Sequence, residues 1–371
     1  MRASGSVSAD RVYIVGPRYQ HHCGHSGYEG FVARSSVAWL RAPVRSRFLA
    51  GRLGRFPVIG DLGHRLDQLA TALTPRPLYT LGILLIELAA AWHMLTHRRS
   101  LYHVIYGDTD FWLLGYARRL TGNFLVASFH EPDYAMEWLR LDRVARRLDA
   151  AILVSESQRA YFRDLLPPER IFVVPHGVDT EFFRPAETLG REPICITVGA
   201  HHRDPVTFKR ALDVIFRKCP DIRVKAVGAR RQGGGNFILE DDRVEHLEGI
   251  SDEDLRAAYQ SATLAVFSFN QATANNALLE AMACGLPIVA TDVGGVRECV
   301  GEHAGILCRQ WDYEELAAAV LRLVGDRELA VSMGASARVR ALGFDFEAVA
   351  GRFEHVYRSV LEERETAGVR R

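Results

Sequence analysis

At 371 residues, with 48% hydrophobic and 25% charged side chains, the chain reads as a soluble globular protein of two domains rather than one. A formal net charge of +1 argues against a nucleic-acid binder, which usually carries a strongly basic domain. Six cysteines without a CxxC pair argue against a disulfide framework and fit reduced thiols in a cytoplasm. The opening MRASGSVSAD lacks the apolar core of a signal peptide.

In chain order, Val12–Gly16 reads as the first strand and leads into GPRYQHHCGHSGYEG, where Gly24 and Gly27 permit tight turns and close backbone approach to a ligand. The spacing is not GxGxxG, so no nicotinamide-type fingerprint is present. His21, His22, Cys23 and His25 offer zinc-type ligands, but four ligands within five residues are tighter than zinc spacing and no second cluster complements them. Five arginines between Arg41 and Arg55, mixed with Phe48, Leu49, Leu53 and Phe56, suit either an ordinary charged face or peripheral contact with an anionic membrane. Leu81–Leu95 is short for a membrane span, contains Glu87 and His93, and reads as a buried helix. The runs 101–106, 124–129, 151–154 and 171–174 complete the strands of the first half, and the polar, proline-containing stretch 180–193 reads as a linker.

Beyond it, 194–198, 224–227, 264–269, 288–291 and 305–307 read as strands, with a helix capped at Ser251 and an amphipathic helix from Phe346 to Glu363. Strands alternating with helices predict an α/β fold: two doubly wound, Rossmann-like domains over 1–185 and 186–343, followed by a terminal helix and tail over 344–371.

The richest segment is ANNALLEAMACGLPIVATDVGG, Ala274 to Gly295. Asn275 and Asn276 suit a helix cap, and Gly285 suits its C-terminal turn. A diphosphate at that helix N-terminus meets open amides and the positive end of the dipole. Glu280 lies about one turn, roughly 6–7 Å, further along, where its carboxylate can take both hydroxyls of a ribose. The plainer reading is a core helix with a solvated glutamate.

LLEAMACGLPIVATDVGG resembles the donor-binding signature of family-four retaining glycosyltransferases of the GT-B fold, and VPHGVDTEFF, Val174 to Phe183, is similar to their stretch before the interdomain linker. The resemblance implies two Rossmann-like domains facing a cleft, with a C-terminal helix crossing back to the N-terminal domain. It also implies a nucleotide sugar as donor substrate, no other cofactor, and transfer with retention to a hydroxyl acceptor such as a glycan or lipid-linked glycan. The family's phosphate-clamping arginine and lysine fall on Arg203, for which His201, His202 or Arg210 could substitute because the loop length differs, and on Lys209, read as directly preceding a helix. Its first glycine-rich loop falls on Gly24 and Gly27, and its strand-terminal histidine on His130. The family's first glutamate, eight positions before the second, is Ala272 here.

Asp108-Thr109-Asp110 matches the metal-holding DxD of another glycosyltransferase class. That class binds its donor in the N-terminal half, whereas the stronger donor motif here follows the linker. Transfer is therefore expected to need no metal, the arginine, lysine and helix terminus standing in its place. Two rivals share these motifs: a GT-B nucleotide-sugar epimerase, and a non-catalytic nucleotide-sugar binding protein.

Overall fold

A computed structural model describes residues 11–16, 24–35, 37–40, 65, 67–74, 76–187, 192–228 and 241–369 of the chain. The polypeptide forms two compact units. One comprises residues 1–20, 31–174 and 350–371, and the other 21–30 and 175–349. The crossing after Val174 comes earlier than the boundary at 185 read from the sequence. Residues 175–185, although aperiodic, are tied into the second unit: the Val178 amide bonds to Phe344, Thr180 bonds to Asp345, and Phe183 is fully buried.

The first unit carries β1 (Val12–Val15), β2 (Ala38–Leu40), β3 (Leu101–Val104), β4 (Phe124–Phe129), β5 (Ala150–Leu153) and β6 (Ile171–Val173), all parallel in the order β2-β1-β3-β4-β5-β6. β3, β4 and β5 are buried along their whole length, as continuous apolar runs covered on both faces must be. Around them lie α1 (Leu81–Thr96), α2 (Leu114–Thr121) and the short turns α3 (Asp133–Trp138), α4 (Asp142–Ala145) and α5 (Arg159–Phe162). Leu113, at the N-cap of α2, has no side chain able to accept a hydrogen bond. Glu87 of α1 does that work instead, taking the amides of Trp112, Leu113 and Leu114 at 2.8–3.0 Å and the Tyr79 hydroxyl.

One expectation fails here. α1 is not buried all round: Leu85, Leu88, Trp92 and Leu95 are 36–72% exposed. The apolar composition that suggests burial fills two faces, and only the face carrying Ile86, Ala90 and Met94 enters the core.

The second unit carries β7 (Ile194–Val198), β8 (Arg223–Val227), β9 (Val244–Leu247), β10 (Leu264–Phe267), β11 (Ile288–Thr291) and β12 (Gly305–Cys308), parallel in the order β12-β11-β10-β7-β8-β9. Its helices are α6 (Pro205–Lys218), α7 (Asp252–Ser261), α8 (Asn276–Ala283), α9 (Val296–Val300), α10 (Tyr313–Gly325) and α11 (Arg327–Leu342). Asp204 caps α6 and Ser251 caps α7. The last helix, α12 (Phe346–Val369), continues past the expected end at Glu363, and from Ala350 onward it belongs to the first unit. There Phe353 stacks on Phe31 at 3.8 Å and Tyr357 bonds to His103. Among the described residues no helix is long and apolar enough to cross a membrane.

Candidate functional site

In a parallel sheet, ligands bind outside the carboxyl ends of the strands where the winding direction reverses. In the second unit that point lies between β7 and β10. Two loops meet there. Arg203 pairs with Phe269 as an isolated antiparallel bridge, the Asp204 amide donates to Ser268 (2.9 Å), and the Asn270 amide donates to His202 (2.9 Å). The Asn270 side chain adds a bond to the Arg203 carbonyl (3.0 Å).

These bonds place Arg203 inside the unit. It is 6% exposed, its Nη2 donates to the Val198 carbonyl (2.5 Å), and its guanidinium lies 4.3 Å over Phe269 and 5.2 Å over Phe267. Nε has no partner among the described residues. Burial pulls the pKa of the guanidinium down to about 9, and no carboxylate opposes that shift. The group stays cationic at neutral pH, and a buried cation without a counter-charge is costly. Lys209, by contrast, does not precede α6 but sits within it, five positions in and exposed. Helix formation begins earlier than expected because Asp204 takes the amides of Val206 and Thr207, and Pro205 suits the first helical position.

The loop after β10 leads to α8. Asn275 is its cap and accepts the Leu278 amide (3.1 Å), while Leu279 bonds to the Asn275 carbonyl. An α-helix leaves its first amides without an acceptor inside the helix, and the Asn275 side chain takes that of Leu278. Asn276 is the first helical residue, and its Oδ1 accepts from His176 Nδ1 (2.7 Å). Ala272 lies buried in the unit's apolar cluster, and its carbonyl accepts the Gly295 amide (2.9 Å). Gly294 holds φ +50°, and a Cβ there would come within 1.9 Å of that carbonyl, so only glycine lets the two loops pack.

Glu280 is 4% exposed. One carboxylate oxygen accepts the Ser26 hydroxyl and the other the Tyr259 hydroxyl (2.8 Å). Burial pushes its pKa above the usual glutamate range, and the two hydroxyls offset part of that. Burial, and then the neighbouring Glu280 carboxylate, push the Tyr259 phenol well above its usual range, and the Arg203 cation offsets part of that. Ser26 arrives on the segment that follows Gly24. The Gly24 amide donates to Asp252 (2.9 Å), His25 bonds to Asp179 (2.9 Å) and stacks on Phe182 at 3.6 Å, and Gly27 holds φ +111°. Gly24, Gly27, Arg203, Asn275, Asn276 and Glu280 all belong to the second unit, where Ser26 ties the Gly24–Gly27 segment to Glu280. Ser26, His176 and Tyr259 escaped the sequence reading, because nothing local marks a serine as the partner of a glutamate 254 positions away.

His130 belongs to the first unit. It follows β4, its ring Nε2 donates to the Ile105 carbonyl (2.8 Å), and its main-chain amide donates to Asp108 (2.8 Å). Asp108 and Asp110 are turned inward, 4% and 2% exposed, and burial pushes the pKa of each up to about 7. Asp108 holds the main chain at His130 and Glu131. His21, His22, Cys23 and the span 41–55 lie outside the described residues.

Residues 192–326 match the family described as Glycosyl transferases group 1, and residues 27–182 match Glycosyltransferase Family 4. The chain belongs to the family-four glycosyltransferases of the GT-B fold. It is 29% identical over 337 residues to the MMP alpha-(1->4)-mannosyltransferase of Mycolicibacterium hassiacum, covering 85% of this chain and 74% of that protein. It is 26% identical over 268 residues to the D-inositol 3-phosphate glycosyltransferase of Thermobispora bispora, covering 65% of this chain. Against that relative the family-four chain spans 63% of the length. Among solved structures, HepE of Anabaena in complex with UDP and glucose superposes with a TM-score of 0.65 at 16% identity, covering 93% of this chain and 98% of that one, a likeness of fold.

Proposed function

We propose that this protein is a glycosyltransferase that binds a nucleotide-diphosphate sugar in its second unit and moves the sugar, with retention and without a metal, to a hydroxyl of a glycan or lipid-linked acceptor. The observation that carries this reading is a buried Arg203 guanidinium with no facing carboxylate beside the switch point of a parallel sheet, in a unit whose following helix α8 carries the buried Glu280 carboxylate. A diphosphate would supply the anion that Arg203 lacks, assisted by the open amides of α8. The ribose diol would supply hydroxyl donors to Glu280, one turn along. Lys209 is assigned to the same diphosphate by family resemblance. As the bond between sugar and phosphate breaks, charge grows on the leaving phosphate, and fixed cations and amides stabilise that change without reorganising. His130 is assigned to the acceptor side, where an imidazole can position or relay the proton of the attacking hydroxyl.

Calorimetric titration with UDP, GDP and ADP tests the binding half. One nucleoside diphosphate is expected to bind, and Glu280→Ala is expected to weaken it by about tenfold or more, the worth of a hydrogen bond to a charged group. Undiminished binding in Glu280→Ala removes Glu280 from the site. With the matching nucleotide sugar, retention shows as an α-linked product from an α-linked donor, and an unchanged rate in chelator supports metal independence.

A further inference from the structure

The exposed face of α1 is at odds with a helix in contact with water. Leu85, Leu88, Trp92 and Leu95 follow the i, i+3, i+7, i+10 spacing of a single stripe and are 36%, 50%, 72% and 54% exposed. Ala89 and Thr96 fill out that face, and it carries no charge. A helix apolar on every side is ordinarily one that water reaches on neither. The inner face of α1 is buried against the sheet of the first unit, so the outer one calls for a second covering.

The charges around the stripe identify that covering. From Leu78 to Gly122 the chain has three carboxylates, Glu87, Asp108 and Asp110, and all three are buried. The exposed charges of the same span are cationic: Arg98 and Arg99, just beyond the end of α1, and Arg119 on α2, which packs against α1. Tyr116 and Leu120 of α2 are a further 46% and 83% exposed. A protein partner would have to set an acidic surface against this one-signed rim as well as an apolar one against the stripe. A second copy docked through this face about a two-fold axis would bring one cationic rim toward another. Leucines with a tryptophan, edged by arginines at the C-terminal end of α1, suit an interface between hydrocarbon and anionic head groups, and the part-exposed Asp67 is held on the Leu81 amide (2.9 Å) at the opposite end of the helix.

We infer that the α1 face of the first unit is a membrane-docking surface that seats Leu85, Leu88, Trp92 and Leu95 among the acyl chains of an anionic phospholipid bilayer, with Arg98, Arg99 and Arg119 on the head-group phosphates. The helix lies in the plane of the interface rather than crossing it: sixteen residues with buried Glu87 on the protein side are too few to span. This inference stands apart from the nucleotide reading, because none of its residues belongs to that site.

Vesicle flotation with the full chain tests it, using liposomes of phosphatidylcholine alone and of phosphatidylcholine with phosphatidylglycerol. The wild type is expected to float with the mixed vesicles, and less so as salt is raised. Leu88→Gln combined with Trp92→Gln should cut the bound-to-free ratio by more than tenfold, with an unchanged melting temperature because both side chains are exposed. Arg98→Ala combined with Arg99→Ala should cut it by roughly thirtyfold at low salt, the worth of two cations near an anionic surface. Failure of the wild type to float with either vesicle overturns the inference, as does equal flotation of the Leu88/Trp92 variant. Sedimentation velocity without lipid supplies the remaining arm: a dimer that the same variant abolishes would assign the face to a second copy.

Discussion

At the scale of single residues, Glu280 carries the most consequence. Its carboxylate is buried, raised in pKa and satisfied by two hydroxyls, one from Tyr259 on α7 and one from Ser26. Both donors are neutral, so each can be replaced by a sugar hydroxyl without moving a charge. Under the proposed function, a bound ribose takes over the bond that Ser26 makes. Ser26→Ala should then have two effects of opposite sign. Without ligand the melting temperature falls, because a buried carboxylate oxygen loses its donor at a cost of about 1–3 kcal/mol. With a binding nucleoside diphosphate the upward shift exceeds that of the wild type, because the ribose restores what the substitution removed. Thermal denaturation with and without nucleotide reads both effects, and an unchanged or smaller ligand shift would show that Ser26 does not share a position with the ribose.

At the scale of elements, the N-terminus of α8 separates structure from recognition. Asn275 caps the helix by accepting the Leu278 amide on its side-chain oxygen, and the two amides before Leu278 have no acceptor inside the helix. Asn275→Ala should cost about 1 kcal/mol of stability. Asn275→Asp should keep the cap, and with it the stability, while placing a negative charge where the diphosphate is expected. The aspartate variant is therefore predicted to melt like the wild type and to lose nucleotide affinity in calorimetry. Retained affinity would move the diphosphate away from this helix end. The cap was legible in the sequence because capping chemistry is local. So were the ten strands read there, each a compact apolar run found in its sheet within a residue or two at its ends. The two strands that escaped are β2 and β9, and both are sheet edges. An edge strand is flanked on one side only and can be short or polar: β9 reads Val-Glu-His-Leu, too charged to resemble a buried run. α1 failed in the opposite direction, because composition reports how apolar a helix is and not how many of its faces the protein covers. The position of Arg203 was legible as a cation after β7, but its burial was not, since that follows from the bridge to Phe269, 66 positions along.

At the scale of the whole molecule, the first unit is assembled from both ends of the chain. Its sheet comes from residues before Val174, yet α12 closes it, with Phe353, Val356, Tyr357 and Val360 all under 7% exposed. Phe353 stacks on Phe31, and Tyr357 holds one ring nitrogen of His103 (2.8 Å) while Ser128 holds the other (2.6 Å). Burial depresses the pKa of His103 to about 3, so that imidazole is neutral across the physiological range and the Tyr357 bond does not titrate away. Residues 175–349 therefore form a continuous body apart from the short segment 21–30, whereas the first unit depends on contacts between residues some 320 apart in sequence, which are slow to find and easy to lose. Phe353→Ala should remove about 3–5 kcal/mol. The loss should appear in the first unit: hydrogen exchange is expected to accelerate at the amides of β1, β3 and β4 and to change little at β7, β10 and β11. An equal acceleration in both sheets would mean that the two units unfold as one, and that α12 supports the whole chain rather than the sheet it covers.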